Sequence, residues 1–415
     1  MNACEPRPSK KLRVAILTLY PRETLRIPGG VRAVAYNLVQ GLRRYDDLDI
    51  HVVHCHADID RNAVVADGNV TVHYLAMPRR RLIPNMTASI GRIRRLLREI
   101  EPDVVNAHIC YYALAAIGVG YPTVYTIHGV AHEEAKAYDR NWFDRLRYRL
   151  YAYYDDLAVQ RAKELIAISD YVMEEYRDRA QGRWHRIDNP VTDDFFVAGE
   201  AGVPDASSMV VLFAGSITEV KDIITLLKAI ALVRDRIPAV RLHLAGRVTS
   251  ESYEREIVAY VQEHGLSPCV AFLGLLDRPA LLREYAECAL VALSSRQENA
   301  PMAVIEAMAV GRAVVCTRVG GVPGLVMEGE TGYMVPPGDA EQMANRISEL
   351  LLNPAQRTAM GQRAREQALK RFSVAQVAQR YRETYWQAYA DATSALSPSP
   401  PSREGFRGSA LESQR

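Results

Sequence analysis

Short apolar runs alternate with segments whose apolar positions recur every three or four residues, and this alternation occurs in two successive sets. In the first set, Leu12–Leu19, Ile50–Val53, Val70–Leu75, Asp103–Ala107 and Thr123–Ile127 read as strands. Between them, Val31, Val34, Ala35, Leu38, Val39 and Leu42 share one helical face, and Ile90, Ile93, Leu96, Leu97 and Ile100 share another. Strands separated by amphipathic helices predict a parallel sheet covered on both faces. The second set begins near Met209, with strands at Val210–Ala214, Val240–Ala245, Val270–Leu273, Ala289–Leu293 and Ala313–Cys316. Its helices include Asp222–Arg236 and Ala280–Tyr285, and Gly199–Ser208 reads as the linker between the sets. The chain has 415 residues, enough for two domains of about 170–200 residues, each with its own core. Sheets of this kind gather ligands at the carboxyl ends of their strands. His108, His128 and the loop Pro28-Gly29-Gly30 all fall there.

Bulk properties narrow the functional classes. The net charge of +2 gives no overall field for nucleic acid. Six cysteines are widely spaced with no C-x-x-C pair, which predicts buried free thiols in a reducing cytoplasm. No apolar run reaches the ~18–20 residues of a membrane-spanning helix. Met1–Lys10 is polar and lacks the apolar core of a signal peptide. The expectation is a soluble or at most peripheral cytoplasmic protein.

The chemistry concentrates in Glu298-Asn299-Ala300-Pro301-Met302-Ala303-Val304-Ile305-Glu306. Two carboxylates with seven residues between them flank a small-residue turn that opens a helix, just after a strand over Cys288–Ser294. Pro301 suits the first helical turn, where its missing N–H costs nothing. Ala300, Met302 and Ala303 then offer backbone N–H groups at a helix N-terminus, an anion site. Glu298 sits in the loop and Glu306 about one and a half turns into the helix. A sugar–diphosphate–nucleoside presents a matching series of groups, with hydroxyls at either end and negative charge between.

Ser294-Ser295 precedes this unit, and Gly311, the strand Ala313–Cys316 and Gly320-Gly321 follow it. In that context it resembles the E-x7-E signature of the family 4 retaining glycosyltransferases, the glycosyl transferases group 1. The resemblance covers Leu12 to about Tyr389 and implies the α/β GT-B architecture, two Rossmann-like doubly wound domains facing a central cleft. Residues 11–198 would form the acceptor-side domain and 209–372 the nucleotide-sugar donor domain. Residues 373–391 would form a helix returning to the first domain, capped by Ser373. From 394 to 415, Pro398, Pro400, Pro401 and several serines predict a disordered tail.

The resemblance implies a retaining enzyme that moves a sugar from a nucleoside diphosphate to a hydroxyl acceptor, with no cofactor and no metal. The acceptor would be a saccharide, a lipid-linked molecule or a small molecule, in polysaccharide, glycolipid or other glycoconjugate synthesis. It places Glu306 on the donor ribose and Glu298 on the sugar hydroxyls. Lys221 and the turn Asn299-Ala300-Met302 would bear the diphosphate, with Gly30 nearby, and His128 would orient the sugar. His128, Lys221 and Glu298 are thus the expected catalytic residues. No general base is expected, because the acceptor attacks from the leaving group's own face and the phosphate takes its proton.

This chain departs from the family pattern in the loop Phe213–Lys221. The usual Arg after the glycine is Ser216, and Asp222 replaces the glycine that commonly follows Lys221. A missing cation there weakens stabilisation of the leaving diphosphate. Arg247, after Leu244-Ala245-Gly246, is the candidate substitute. Asn189-Pro190-Val191 resembles the family's interdomain segment, and His108 is a second histidine to locate.

Other motifs point elsewhere. No G-x-G-x-x-G is present, which disfavours a nicotinamide site. Asp58-Ile59-Asp60 is formally the D-x-D metal signature of GT-A glycosyltransferases, yet Ala57–Ala63 reads as a polar connecting loop. Arg79-Arg80-Arg81 and Arg92, Arg94, Arg95 and Arg98 form one basic stretch. Arg140, Arg145, Arg147 and Arg149 interleave with Trp142, Phe143, Tyr148, Tyr151, Tyr153 and Tyr154 in another. Such helices suit either peripheral contact with an anionic membrane or plain solvation. Two rival readings share the architecture: a GT-B sugar-nucleotide epimerase, and a catalytically weak sugar-nucleotide-binding protein suggested by Ser216.

Overall fold

In a computed structural model, which describes residues 11–77, 85–133, 142–200 and 206–396, the chain forms two parallel-sheet α/β units. The first sheet contains β1 (Leu12–Leu17), β2 (Leu48–His56), β3 (Ala63–Asp67), β4 (Val70–Ala76), β5 (Val104–Ala107), β6 (Thr123–Ile127), β7 (Glu164–Ala167) and β8 (Arg183–Arg186). Their spatial order is β3-β4-β2-β1-β5-β6-β7-β8, and every pairing is parallel except β3 with β4. The second sheet contains β9 (Val210–Ala214), β10 (Arg241–Ala245), β11 (Val270–Gly274), β12 (Leu290–Leu293), β13 (Ala313–Thr317) and β14 (Gly332–Val335). It is wholly parallel, in the order β11-β10-β9-β12-β13-β14. Strand order reverses beside β1 and beside β9, the positions where doubly wound sheets open a ligand crevice.

The inner strands are apolar because helices cover both of their faces. Every residue of β5, β6, β12, β13 and β14 is buried. The antiparallel β3 begins where the polar loop expected over Ala57–Ala63 ends, and it is not among the strands expected from the sequence. Its Val64 and Val65 are exposed at the sheet edge, so it carries no buried-strand signal. The two-residue turn Gly68-Asn69, with Gly68 at φ 64°, is the hairpin signal that was available.

The last helix, Val374–Leu396, returns to the first sheet and packs on the helix Gly30–Leu42. Val377, Ala378, Tyr381 and Tyr385 join Leu12, Val14, Ile16 and Val104 in one buried cluster. The approach is close: a Cβ on Gly41 would lie 2.6 Å from Ala378 Cβ. This helix continues to Leu396, past the start of the tail expected at Ser394, because no proline interrupts it before Pro398. Residues 397–415 lie outside the described residues.

The chain crosses between units at Asn189-Pro190-Val191. There the Val191 N–H donates to Phe372 O (2.8 Å) and the Val374 N–H donates to Val191 O (3.1 Å). Among the described residues no helix is long and apolar enough to cross a membrane. Cys55, Cys110, Cys269, Cys288 and Cys316 are buried free thiols, and Cys4 lies outside the described residues.

Candidate active site

A cavity of about 410 Å³ lies between the two sheets. Leu25, Ile27 to Gly30 and Arg32 line it from the first domain, and Ser216, Lys221, Arg247, Arg278, Met302 and Glu306 from the second. Two helix N-termini meet here, those of Gly30–Leu42 and Met302–Val310. A Cβ on Gly30 would sit 3.8 Å from Met302 Cγ, so the two helix starts approach to van der Waals distance across the cavity. The second helix begins its hydrogen-bond ladder with the N–H groups of Val304 and Ile305, which donate to Pro301 O at 3.1 and 3.3 Å. The N–H groups of Met302 and Ala303 precede that ladder, in a geometry that favours an anion.

Glu306 is buried in the wall, and Tyr285 Oη donates to its Oε2 at 2.8 Å. Burial pushes its carboxyl up to about 7, against the opposing pull of the Tyr285 hydrogen bond and the Arg278 charge. Glu298 lies behind the wall, accepting from Ser295 Oγ (2.6 Å) and from the Lys221 ammonium in a close ion pair. Its carbonyl accepts the Gly321 N–H at 3.0 Å, which fixes the turn. Asn299 and Ala300 continue that turn without lining the cavity, and the Ala300 carbonyl accepts from Asn189 Nδ2 at 3.4 Å.

Local backbone chemistry places Lys221. It ends the short helical turn Glu219–Lys221, after which Asp222 adopts φ 48°, ψ 52°. Aspartate tolerates this left-handed conformation because its short side chain bonds locally. Asp222 accepts from Thr225 Oγ1 (2.9 Å) and Arg296 Nε (3.0 Å), so it fills the place of a glycine without losing the turn. Strands β9 and β10 are pinched together beyond it. A Cβ on Gly246 would lie 1.7 Å from Gly215 O, and the Ile217 N–H donates to Arg247 O at 2.9 Å. That pinch sets Ser216 and Arg247 on the same wall as Lys221.

His128 is not part of that wall. It stands at the end of β6, half-buried, with Nε2 3.0 Å from His108 Nδ1. Its tautomer follows from its neighbours. Asn106 Nδ2 donates to the Val124 carbonyl (3.2 Å), so Asn106 Oδ1 is the acceptor facing His108 Nε2 at 2.9 Å. His108 therefore carries its proton on Nε2 and accepts at Nδ1 from His128 Nε2–H. His128 is left with an unprotonated Nδ1, and burial lowers its pKa to about 4. Tyr385 of the returning helix donates to the same Asn106 Oδ1 at 2.9 Å.

Several site residues carry no local motif. Arg278 lines the cavity, is held by Asp194 (Nη2–Oδ1 2.8 Å) and Thr192, and stacks 5.1 Å from the Phe195 ring centroid. Its N–H donates to Leu25 O at 2.8 Å, tying the two walls together. The helix-start sequence Asp277-Arg278-Pro279, with Asp277 capping Ala280 N–H, is the one local signal. Arg32 also lines the cavity, while Tyr285 holds Glu306 and Asp194 holds Arg278 from distant parts of the sequence.

Among the described residues two clusters have metal-ligand composition, His54/His56/Asp58 and His132/Glu133/Glu175. None of their residues lines the cavity. Asp60 of the formal D-x-D is exposed and outside both clusters. In the basic aromatic helix Trp142–Arg161, Leu146 and Tyr153 are about 60% exposed. Arg79, Arg80, Arg81 and Arg140 lie outside the described residues.

Comparison with known proteins matches both units. Residues 28–195 match the model described as Glycosyltransferase Family 4, and residues 201–367 match that described as Glycosyl transferases group 1. The chain is 26% identical over 436 aligned positions to D-inositol 3-phosphate glycosyltransferase of Saccharomonospora viridis, covering 96% of each. Sucrose-phosphate synthase of Thermosynechococcus elongatus superimposes with a TM-score of 0.78 at 21% identity, covering 92% of this chain and 100% of that one. Anabaena HepE in complex with UDP and glucose superimposes with a TM-score of 0.67 at 22% identity, covering 90% and 99%.

Proposed function

Because this chain belongs to the GT-B glycosyltransferases of family 4 and group 1, we propose that it transfers a sugar from a nucleoside diphosphate to a hydroxyl acceptor, with retention of configuration. One observation carries the reading: the N-terminus of Met302–Val310 opens into a cavity that Lys221, Arg247 and buried Glu306 also line. The N–H groups and the two cations suit a diphosphate, and Glu306 suits the ribose hydroxyls. Glu298, behind Lys221, takes the sugar hydroxyls. Ser216 removes one family cation and Arg247 on the same wall supplies another, which favours a working enzyme over a weak binding protein. Glu298 and Glu306 are each already tied by hydrogen bonds. That favours transfer over an epimerase that needs free acid and base carboxylates.

In this mechanism the anomeric bond to phosphate breaks as the acceptor oxygen approaches from the same face, and the leaving phosphate takes the acceptor proton. Lys221, Arg247 and the helix N-terminus stabilise the charge growing on the diphosphate. His128, with its only N–H given to His108, accepts a hydroxyl hydrogen bond at Nδ1 and delivers no proton. The reaction uses no metal or cofactor. Glycoconjugate synthesis is the setting, with a saccharide, lipid-linked or small acceptor. Exposed Leu146 and Tyr153 among arginines support peripheral contact with the inner face of a membrane.

A thermal-shift screen with UDP, GDP, ADP and their sugar conjugates, run with EDTA and with magnesium, tests the donor site. Stabilisation by one nucleotide is expected, independent of metal and abolished in Glu306→Ala. NMR of the product should then show the donor's anomeric configuration. Stabilisation by none of the nucleotides overturns the assignment.

Glu306 also sets a pH dependence. With its folded value at about 7 and its ordinary value 4.5, it holds a proton in the folded state that the unfolded chain has already lost. Its contribution to stability is therefore complete below 4.5 and is lost as pH rises through 7. Donor binding runs the opposite way, because ribose hydroxyls need the carboxylate. The ionised fraction rises from about a tenth at pH 6 to about nine-tenths at pH 8, so nucleotide affinity should rise ~10-fold over that range. Calorimetry should find this slope in the wild type and its absence in Glu306→Gln.

A further inference from the structure

His128 stands where β6 ends, and its place depends on what holds the chain on either side of it. Three residues before it, Tyr125 is buried within the strand, and three residues after it, Ala131 is buried in the turn that follows. Up to Ile127 the ladder with β7 fixes the backbone. Beyond Ile127 the chain leaves the sheet, and the Ala131 N–H donates to Tyr176 Oη at 3.1 Å.

Both flanks converge on one carboxylate. Asp155 lies on the helix Trp142–Arg161 and is 2% exposed. Tyr125 Oη donates to its Oδ1 and Tyr176 Oη to its Oδ2, in two close hydrogen bonds. The Tyr176 hydroxyl has a single proton, so giving it to Asp155 leaves the oxygen to accept from Ala131. Burial pushes the Asp155 carboxyl up to about 6, against the pull of the two hydroxyls. At neutral pH it is therefore a carboxylate that accepts from both tyrosines. An ionised carboxylate is costly to bury, and this one does not line the cavity. Its route to the site runs through His128.

We propose that Asp155 is a positioning residue: through Tyr125 and Tyr176 it clamps the chain on both sides of His128 and holds the imidazole on His108, with Nδ1 turned to a substrate hydroxyl. The proposal rests on the reading of His128 given above. Replacing the carboxylate by an amide leaves one tyrosine hydroxyl without an acceptor. Where Tyr176 turns to find another, the Ala131 N–H loses its partner and His128 loses its register with His108. The sheet holds the Tyr125 side of the clamp independently, so the Tyr176 arm carries more of the effect.

Kinetics and NMR on the full chain test this with D155N, Y176F, Y125F, H128A and the double variant D155N/H128A, each assayed well below its melting temperature. D155N should lower kcat ~10-fold or more and leave the donor KM nearly unchanged, as misplacing one group near the chemistry does. Y176F should reproduce this and Y125F should fall short of it. On the H128A background D155N should cost less than about twofold further, because the two residues act as one unit. In spectra of 15N-histidine-labelled protein, His128 is assigned by its loss in H128A. Wild type should show its Nε2–H tautomer and D155N a mixture of tautomers. An unchanged His128 signal in D155N overturns the proposal, and so does a kcat loss as large in H128A as in wild type. Y176F gives both readouts even where D155N does not fold. Full kcat in H128A would instead sink the sugar-orienting reading, and the spectra would still decide the clamp.

Discussion

Lys221→Ala should lower kcat/KM by about 10²–10³, the usual cost of losing one preorganised group that faces charge developing in the transition state. Lys221 lines the cavity together with Met302 and Ala303 of the helix N-terminus, where the diphosphate of the proposed donor would gain charge. The loss should fall mainly on kcat, because the ammonium meets more charge in the transition state than in the bound donor. Its ion pair adds a second penalty. Without Lys221, the Glu298 carboxylate keeps only the Ser295 hydroxyl as a side-chain partner and repels the incoming diphosphate. Glu298→Gln on the Lys221→Ala background should therefore recover part of the donor affinity while leaving kcat low. Initial rates for both single variants and the double variant decide this. A change below about threefold in Lys221→Ala would remove the lysine from the chemistry.

Ending the chain at Ser373 should cost the first domain its cooperative fold. Val377, Ala378, Tyr381 and Tyr385 are each at most 1% exposed, on a helix that packs on β5, β6 and the helix Gly30–Leu42. Burial of side chains the size of Val377, Tyr381 and Tyr385 is worth about 1.5–3 kcal/mol each. Three of them approach the ~5–15 kcal/mol that holds a whole domain. The second domain has its own core and should survive. Calorimetric melting of the truncated chain is expected to show one transition from the second domain and early proteolysis of the first. A single transition within a few degrees of the full chain would show that the helix is dispensable.

Part of the candidate site is legible in the sequence because it is local. The Pro301 turn and Glu306 lie within one strand-turn-helix unit and both line the cavity, while Glu298 of the same unit lies off the wall, paired with Lys221. Lys221 follows likewise from the end of β9. Asp222 reads as a departure from a glycine, and only the fold shows why it is tolerated, through the bonds from Thr225 and Arg296. Arg278 and Arg32 escape sequence reasoning for a different reason. Each reaches the cavity by long-range packing, and their partners Asp194 and Asp58 lie on other elements. The edge strand β3 is missed because both of its faces meet solvent, so alternation of burial never marks it. The tautomers of His108 and His128 likewise depend on Asn106, which no sequence pattern links to them.

The returning helix also imposes an order on synthesis. The first sheet leaves the ribosome early, yet the side chains that cover one face of β5 and β6 arrive only after the whole second domain has been made. Domains fold as units while the chain is still being made, generally from the N-terminus. Here the second domain has its own core, while Val104 and Val124 of the nascent first sheet wait for Val377, Tyr381 and Tyr385. One face of the first-made sheet is thus among the last surfaces to be covered.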